Sequence, residues 1–181
     1  MTAEPGRGAF DTPQGVIEFE LYPQLAPASC AGFVDSIAAG GWARASFLRA
    51  VREDNDQGRP RIDVVQALGN SPAPRPIEHE STRQTGLSHL AGTLSLARAE
   101  VGTATGDQIF ICVADSPHLD AGGLRQPDGL GFAAFGRITS GMNLLALVHQ
   151  SECVDGGDAY TAGQILRHPL EITSVLLEHT F

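Results

Sequence analysis

Apolar residues in this chain come in short runs closed by glycine or proline, and only twice do they fall at helical spacing. Val16-Ile17-Glu18-Phe19-Glu20-Leu21 sets Ile17, Phe19 and Leu21 against Glu18 and Glu20, the period of two of a half-buried strand, and Tyr22-Pro23 stops it. Further strand candidates are Ala45–Arg49, Asp63–Gln66, Gly92–Ala97, Gln108–Val113, Ala133–Ile138 and Leu170–Leu177. One helix is expected from Pro27, with Cys30, Phe33, Val34 and Ile37 on one face and Gly40-Gly41 at its end. A second follows Gly141, with Leu144, Leu147 and Val148 on one face. Many short strands, Gly/Pro turns and only two helices predict a mainly β fold, a closed antiparallel barrel in preference to a parallel α/β sheet. The polar stretches Glu53–Arg61 and Gly122–Gly131 read as surface loops of a single domain, because strands resume directly after each. That domain is placed at residues 12–181, behind an N-terminal extension of residues 1–11.

Composition narrows the chemistry. At 181 residues and 42% hydrophobic content the chain can bury one core, and no run of eighteen apolar residues predicts a membrane span. Neither a secretory signal nor a Cys-x-x-Cys spacing is present, and Cys30 and Cys112 sit in apolar contexts. Buried free thiols and a cytoplasmic location are therefore expected. With a net charge of −9 and no basic stripe, nucleic acid is not an expected partner. All twelve cationic side chains are arginine, which removes Schiff-base and lysine general-base chemistry. The scattered histidines and the lack of a Gly-x-Ser-x-Gly elbow argue against a metal site and a serine hydrolase; His79 between Glu78 and Glu80 is read as a solvated loop.

Three segments occur in a telling order: Phe47-Leu48-Arg49, then Gln108-Ile109-Phe110-Ile111-Cys112, then Gly131-Phe132-Ala133-Ala134-Phe135-Gly136. Between the last two lies the turn Asp115-Ser116-Pro117-His118-Leu119-Asp120. From about Thr12 to Glu178 this order resembles the cyclophilin family of peptidyl-prolyl isomerases. The resemblance implies an eight-stranded antiparallel barrel capped by a helix at each end. It also implies rotation about Xaa-Pro bonds in proline-containing polypeptides, without cofactor or metal, in a monomeric protein that assists folding.

The same resemblance assigns roles. Arg49 matches the catalytic arginine and Gln66 the glutamine that positions the substrate carbonyl. Phe47, Val64, Phe110, Leu119 and Phe132 line the substrate site with Gln108 and His118, while Ala97 and Arg98 belong to the strand whose backbone pairs with residues before the proline. The sequence departs from the family at several of these places. Asp63 and Val64 stand where relatives carry phenylalanine and methionine, and Ala67-Leu68 replace glycines. Arg98 replaces asparagine, and Phe132 replaces histidine. His118 stands where drug-sensitive relatives carry tryptophan, so only weak binding of cyclosporin-type macrocycles is expected. A second reading keeps the same pocket but makes the chain a catalytically weak module that docks Pro-containing segments.

Overall fold

A computed structural model of the protein describes residues 6–178. One curled, entirely antiparallel sheet carries ten strands: β1 (Gly6–Thr12), β2 (Gly15–Leu21), β3 (Ala45–Val51), β4 (Val64–Leu68), β5 (Thr93–Leu96), β6 (Gln108–Cys112), β7 (Ala133–Ser140), β8 (Cys153–Val154), β9 (Ile165–Ile172) and β10 (Ser174–Leu177). Their order across the sheet is β10-β1-β2-β7-β5-β6-β4-β3-β9-β8. The helices are α1 (Pro27–Ala38), the single turn α2 (Thr82–Thr85) and α3 (Met142–Gln150). None of them is long and apolar enough to cross a membrane.

The mainly β architecture with two long helices matches the expectation, but the strand count is ten where eight were expected. β9 and β10 are separated only by Thr173; β9 pairs with β3 and β10 with β1, so this one stretch touches both ends of the meander. The boundary at residue 12 falls too late. Residues 6–12 form β1, pairing with β2 along their whole length and with β10, and Phe10 is buried in the core. Its Gly-Arg-Gly-Ala run lacks the apolar alternation that marks the other strands, and its place comes from pairing and not from pattern.

The inner face of the sheet encloses a core rich in aromatic rings. Phe10, Phe19, Phe33, Trp42, Phe47 and Phe135 pack with centroids 4.7 to 6.3 Å apart. Helix α1 delivers Phe33 and Cys30 to it. That helix lacks a capping side chain of its own, and Glu80 takes the part: its carboxylate accepts from the N–H groups of Ala28 and Ser29 at 3.0 and 2.8 Å. The stretch around His79 is thus anchored, not solvated, and His79 donates from Nε2 to the Leu130 carbonyl at 3.1 Å.

Helix α3 packs with Leu144, Leu145 and Val148 inward, while Leu147 is 68% exposed, so the inner stripe lies one residue off the expected one. Gly141 opens α3 at φ 95°, where a Cβ would press on the backbone of Val16 and Ile17 at 3.0 Å. Only glycine fits both demands.

Candidate active site

Strand β3 is not regular. Its pairing with both β4 and β9 shifts register between Phe47 and Arg49. In a regular strand these two residues would share a face. The extra residue, Leu48, puts Phe47 and Ala50 in the inner core and turns Arg49 and Val51 outward. Phe47 is fully buried, edge-on to Phe10, and lines no outer pocket. That corrects the expectation that it touches substrate.

Outward residues of the neighbouring strands then form rows across the sheet. Arg49 faces Gln66, which faces Phe110, which faces Ser95; Val51 faces Val64, which faces Cys112. Val51, Ile62, Val64, Phe110, Cys112, Leu119 and Phe132 make a second, separate apolar cluster on this outer face, with Ala97 packed against it. Phe110 and Phe132 meet edge to face at 5.3 Å. Beneath Phe110 lies His89, stacked with centroids 5.8 Å apart and 17° between planes. Its Nδ1 donates to Asp120 at 2.7 Å and its Nε2 accepts from the Ser95 hydroxyl at 2.9 Å. Ser95, His89 and Asp120 share the connectivity of a hydrolase triad, but Ser95 is fully buried and no acyl carbon can reach it. The set fixes the ring under Phe110.

Arg49 is held between two glutamines. Its Nη1 donates to Gln66 Oε1 at 2.9 Å, and its Nε and Nη2 donate to Gln164 Oε1 at 2.9 and 2.6 Å. Gln164 is itself fully buried and donates to the Asn55 carbonyl at 2.9 Å. Three of the five guanidinium N–H groups are thereby used, leaving one on each terminal nitrogen. Both acceptors are neutral amides, and no carboxylate among the described residues pairs directly with Arg49; Asp56 and Asp158 act on its charge only at longer range. Burial lowers its pKa from the ordinary arginine value.

Around this point three loops are pinned together. Arg125 forms a bidentate pair with Asp56, at 2.7 and 2.8 Å, and both side chains are buried. Arg125 also donates to the Pro60 carbonyl and, at 2.9 Å, to the Tyr160 hydroxyl. Gly58 makes room, since a Cβ there would collide with the Arg125 guanidinium. Burial opposes the Asp56 charge, but the bonds from Arg125 and from the N–H groups of Gly58 and Ile62 outweigh it and hold this carboxyl below the usual range. The two stretches expected to be plain surface loops therefore carry a buried ion pair.

The remaining expected site residues divide. Gln66, Val64, Phe110, Leu119 and Phe132 converge on the outer face, and Gln108 is exposed on the same face of β6. His118 is exposed on the turn Pro117–Leu119. Ala97 gives its N–H to the Gln108 carbonyl at 2.9 Å. Arg98 turns away: its guanidinium binds Asp128 at 2.8 and 2.9 Å and the Gly131 carbonyl, 5.4 Å from the centre of the Phe132 ring. Its side chain holds the rim in place. Sequence reading missed Gln164, His89, Tyr160 and the Asp56–Arg125 pair. Burial raises the Cys30 thiol to about 12 and raises Cys112 as well, which leaves neither as a nucleophile. Among the described residues no group of metal-ligating side chains comes together.

The model of the family described as "Cyclophilin type peptidyl-prolyl cis-trans isomerase/CLD" matches residues 9–172. The chain is 32% identical over 146 residues to peptidyl-prolyl cis-trans isomerase A of Dickeya dadantii, covering 81% of this chain and 72% of that protein. Against peptidyl-prolyl cis-trans isomerase B of Bacillus subtilis the identity is 32%, with 70% of this chain and 78% of the other covered. A crystal structure of a Cryptosporidium parvum cyclophilin type peptidyl-prolyl cis-trans isomerase superposes with a TM-score of 0.70 at 17% identity, over 98% of this chain and 100% of that one. A second structure of the same protein, in the presence of the dipeptide Ala-Pro, gives 0.68 over 96% and 99%. The chain belongs to the cyclophilin-type peptidyl-prolyl cis-trans isomerases, a family of enzymes.

Proposed function

We propose that the outer apolar cluster seats the proline ring of a polypeptide and that Arg49 stabilises the twisted imide as its peptide bond rotates. Rotation breaks amide resonance and faces a barrier of ~18–20 kcal/mol. In the twisted state the proline nitrogen becomes pyramidal and regains a lone pair. One of the two free Arg49 N–H groups donates to that nitrogen, and Gln66 fixes both the guanidinium and the substrate carbonyl. Val64, Phe110, Leu119 and Phe132 supply the socket, with Gln108 and His118 at its mouth and the backbone around Ala97 and Arg98 receiving the residues before proline. The observation that carries this reading is a half-buried guanidinium held by two neutral amides, with no carboxylate among the described residues in direct contact, beside an apolar socket. Such a donor is preorganised for charge that develops only along the reaction.

In this reading β9 and β10 act as one strand that closes the sheet, and β8 is an excursion, which brings the count to the eight strands of a closed barrel. The free thiols fit a reducing cytoplasm, and a monomer with no cofactor suffices for the chemistry. Two-dimensional NMR exchange on an Ala-Pro-Phe peptide with substoichiometric protein tests the proposal. Accelerated cis–trans exchange is expected; peptide binding without exchange would leave only a docking module.

A further inference from the structure

The outer face has a direction. Ala97 lies at the end of β5, and from there the sheet runs through β6 with Phe110 and β4 with Val64 and Gln66 to Arg49 on β3. Beyond β3 come β9 and the loop that leads into it, which carries Tyr160. A polypeptide whose residues before proline lie at Ala97 and whose ring lies on Phe110 therefore leads toward Arg49 and then Tyr160.

Tyr160 is built into that position. Its ring centre is 5.5 Å from Arg49 Cζ and 5.8 Å from Arg125 Cζ, and its hydroxyl is tied to Arg125. Arg125 is locked in turn by Asp56, and the loop backbone is fixed by Asp158, whose Oδ1 accepts from the N–H groups of Tyr160 and Thr161. Asn55 donates to the Gly163 carbonyl and staples the loop to the insert after β3. A tyrosine that served only to satisfy Arg125 could bury its ring, yet this one is 49% exposed. The result is an ordered aromatic surface, open to solvent and adjacent to the Arg49 guanidinium.

We propose that Tyr160 is a specificity determinant: a shelf for the side chain that follows the proline, favouring aromatic and apolar groups. Its ring offers a face for stacking, already fixed at no further cost in rotamer freedom. A cation gains least here, because the ring already lies against the guanidinium groups of Arg49 and Arg125. The inference rests on the reading of Arg49 and the socket given above.

The test is a series of Ala-Ala-Pro-Xaa peptides, with Xaa phenylalanine, alanine or lysine, measured for exchange rate and for affinity by NMR titration. Wild type should favour phenylalanine over alanine by about three- to tenfold, the range an offset aromatic pair provides, and should place lysine last. In Tyr160→Ala the ratio of phenylalanine to alanine should fall to near one, and in Tyr160→Phe most of it should persist. A ratio unchanged in Tyr160→Ala overturns the shelf. Should no peptide exchange at all, the isomerase reading falls, and the affinity ratio alone still decides the shelf.

Discussion

The molecule has two apolar regions, and the same strands build both. On β4 and β6, Val65, Ile109 and Ile111 point into the inner core while Val64, Phe110 and Cys112 point into the outer cluster. The inner core is closed by helices and by rings packed on rings. The outer cluster is small and covered by polar machinery instead: Arg49 and Gln66 at one side, the Arg98–Asp128 clasp and Phe132 at the other. The contrast separates two kinds of burial. One region holds the fold together; the other, in the function proposed above, receives a foreign ring.

Substitutions can break this division. The largest effect is expected from Phe47→Ala, which empties the centre of the inner core and should cost about 3–5 kcal/mol of stability. Phe132→Ala, at the rim of the outer cluster, should cost less, about 0.5–3 kcal/mol. Equal losses in urea unfolding would show that the regions are not distinct. Next comes Arg49→Ala, expected to lose about 2.7–4 kcal/mol of transition-state stabilisation, a hundred- to a thousandfold in exchange rate, with the circular dichroism spectrum unchanged. Arg49→Lys should rescue little, because one ammonium cannot meet both glutamines. Gln164→Ala, which removes an acceptor from a charged donor, should cost about 1.5 kcal/mol, near tenfold in rate, with peptide affinity retained.

Acid should act on the buried ion pair. The Asp56 carboxyl is depressed in the folded state, so its contribution to stability is present above the unfolded carboxylate pKa of about 3.9 and is lost as pH falls through the lower folded value. Each unit of depression corresponds to about 1.4 kcal/mol. Comparing unfolding free energies between about pH 5 and pH 2 should show a shallower acid loss in Asp56→Asn than in wild type. An identical slope would remove Asp56 from the account. The smallest effect is expected from His118→Trp. A larger ring with an indole N–H should tighten cyclosporin-type macrocycles by about 0.5–1.5 kcal/mol, read as inhibition of exchange. Nanomolar inhibition of the wild type would contradict the weak binding expected of His118.

How much of this was legible in the sequence depended on distance along the chain. Strands with a clear apolar pattern, such as the alternating β2 and the continuous run of β6, announce themselves within a few residues, and Arg49, Gln66 and Phe110 could be placed by the order of their segments. β1 could not, because two glycines and an arginine carry no pattern and only pairing with β2 and β10 makes it a strand. Gln164 lies 115 positions from Arg49, and no local spacing links them. The Asp56–Arg125 pair spans two stretches that read as solvated because their composition is polar. Phe47 was misplaced for a different reason: the resemblance set it in the substrate site with Arg49, and the bulge that turns the two to opposite faces leaves no mark in composition. Leu147 shows the same weakness in a helix, where a stripe one residue off changes which leucine is buried.

That bulge has a consequence for how the chain can change length. Deleting Leu48 would leave Phe47 and Ala50 inward and Arg49 and Val51 outward, in unbroken alternation, whereas deleting Ala50 would aim Val51 into the inner core. A deletion at a paired position of β3 would strike the core and the outer face together, whereas the inserts that meet at Arg125 need only preserve one ion pair and one aromatic ring. Variation in length is therefore expected to collect in the loops and, within β3, at Leu48 alone.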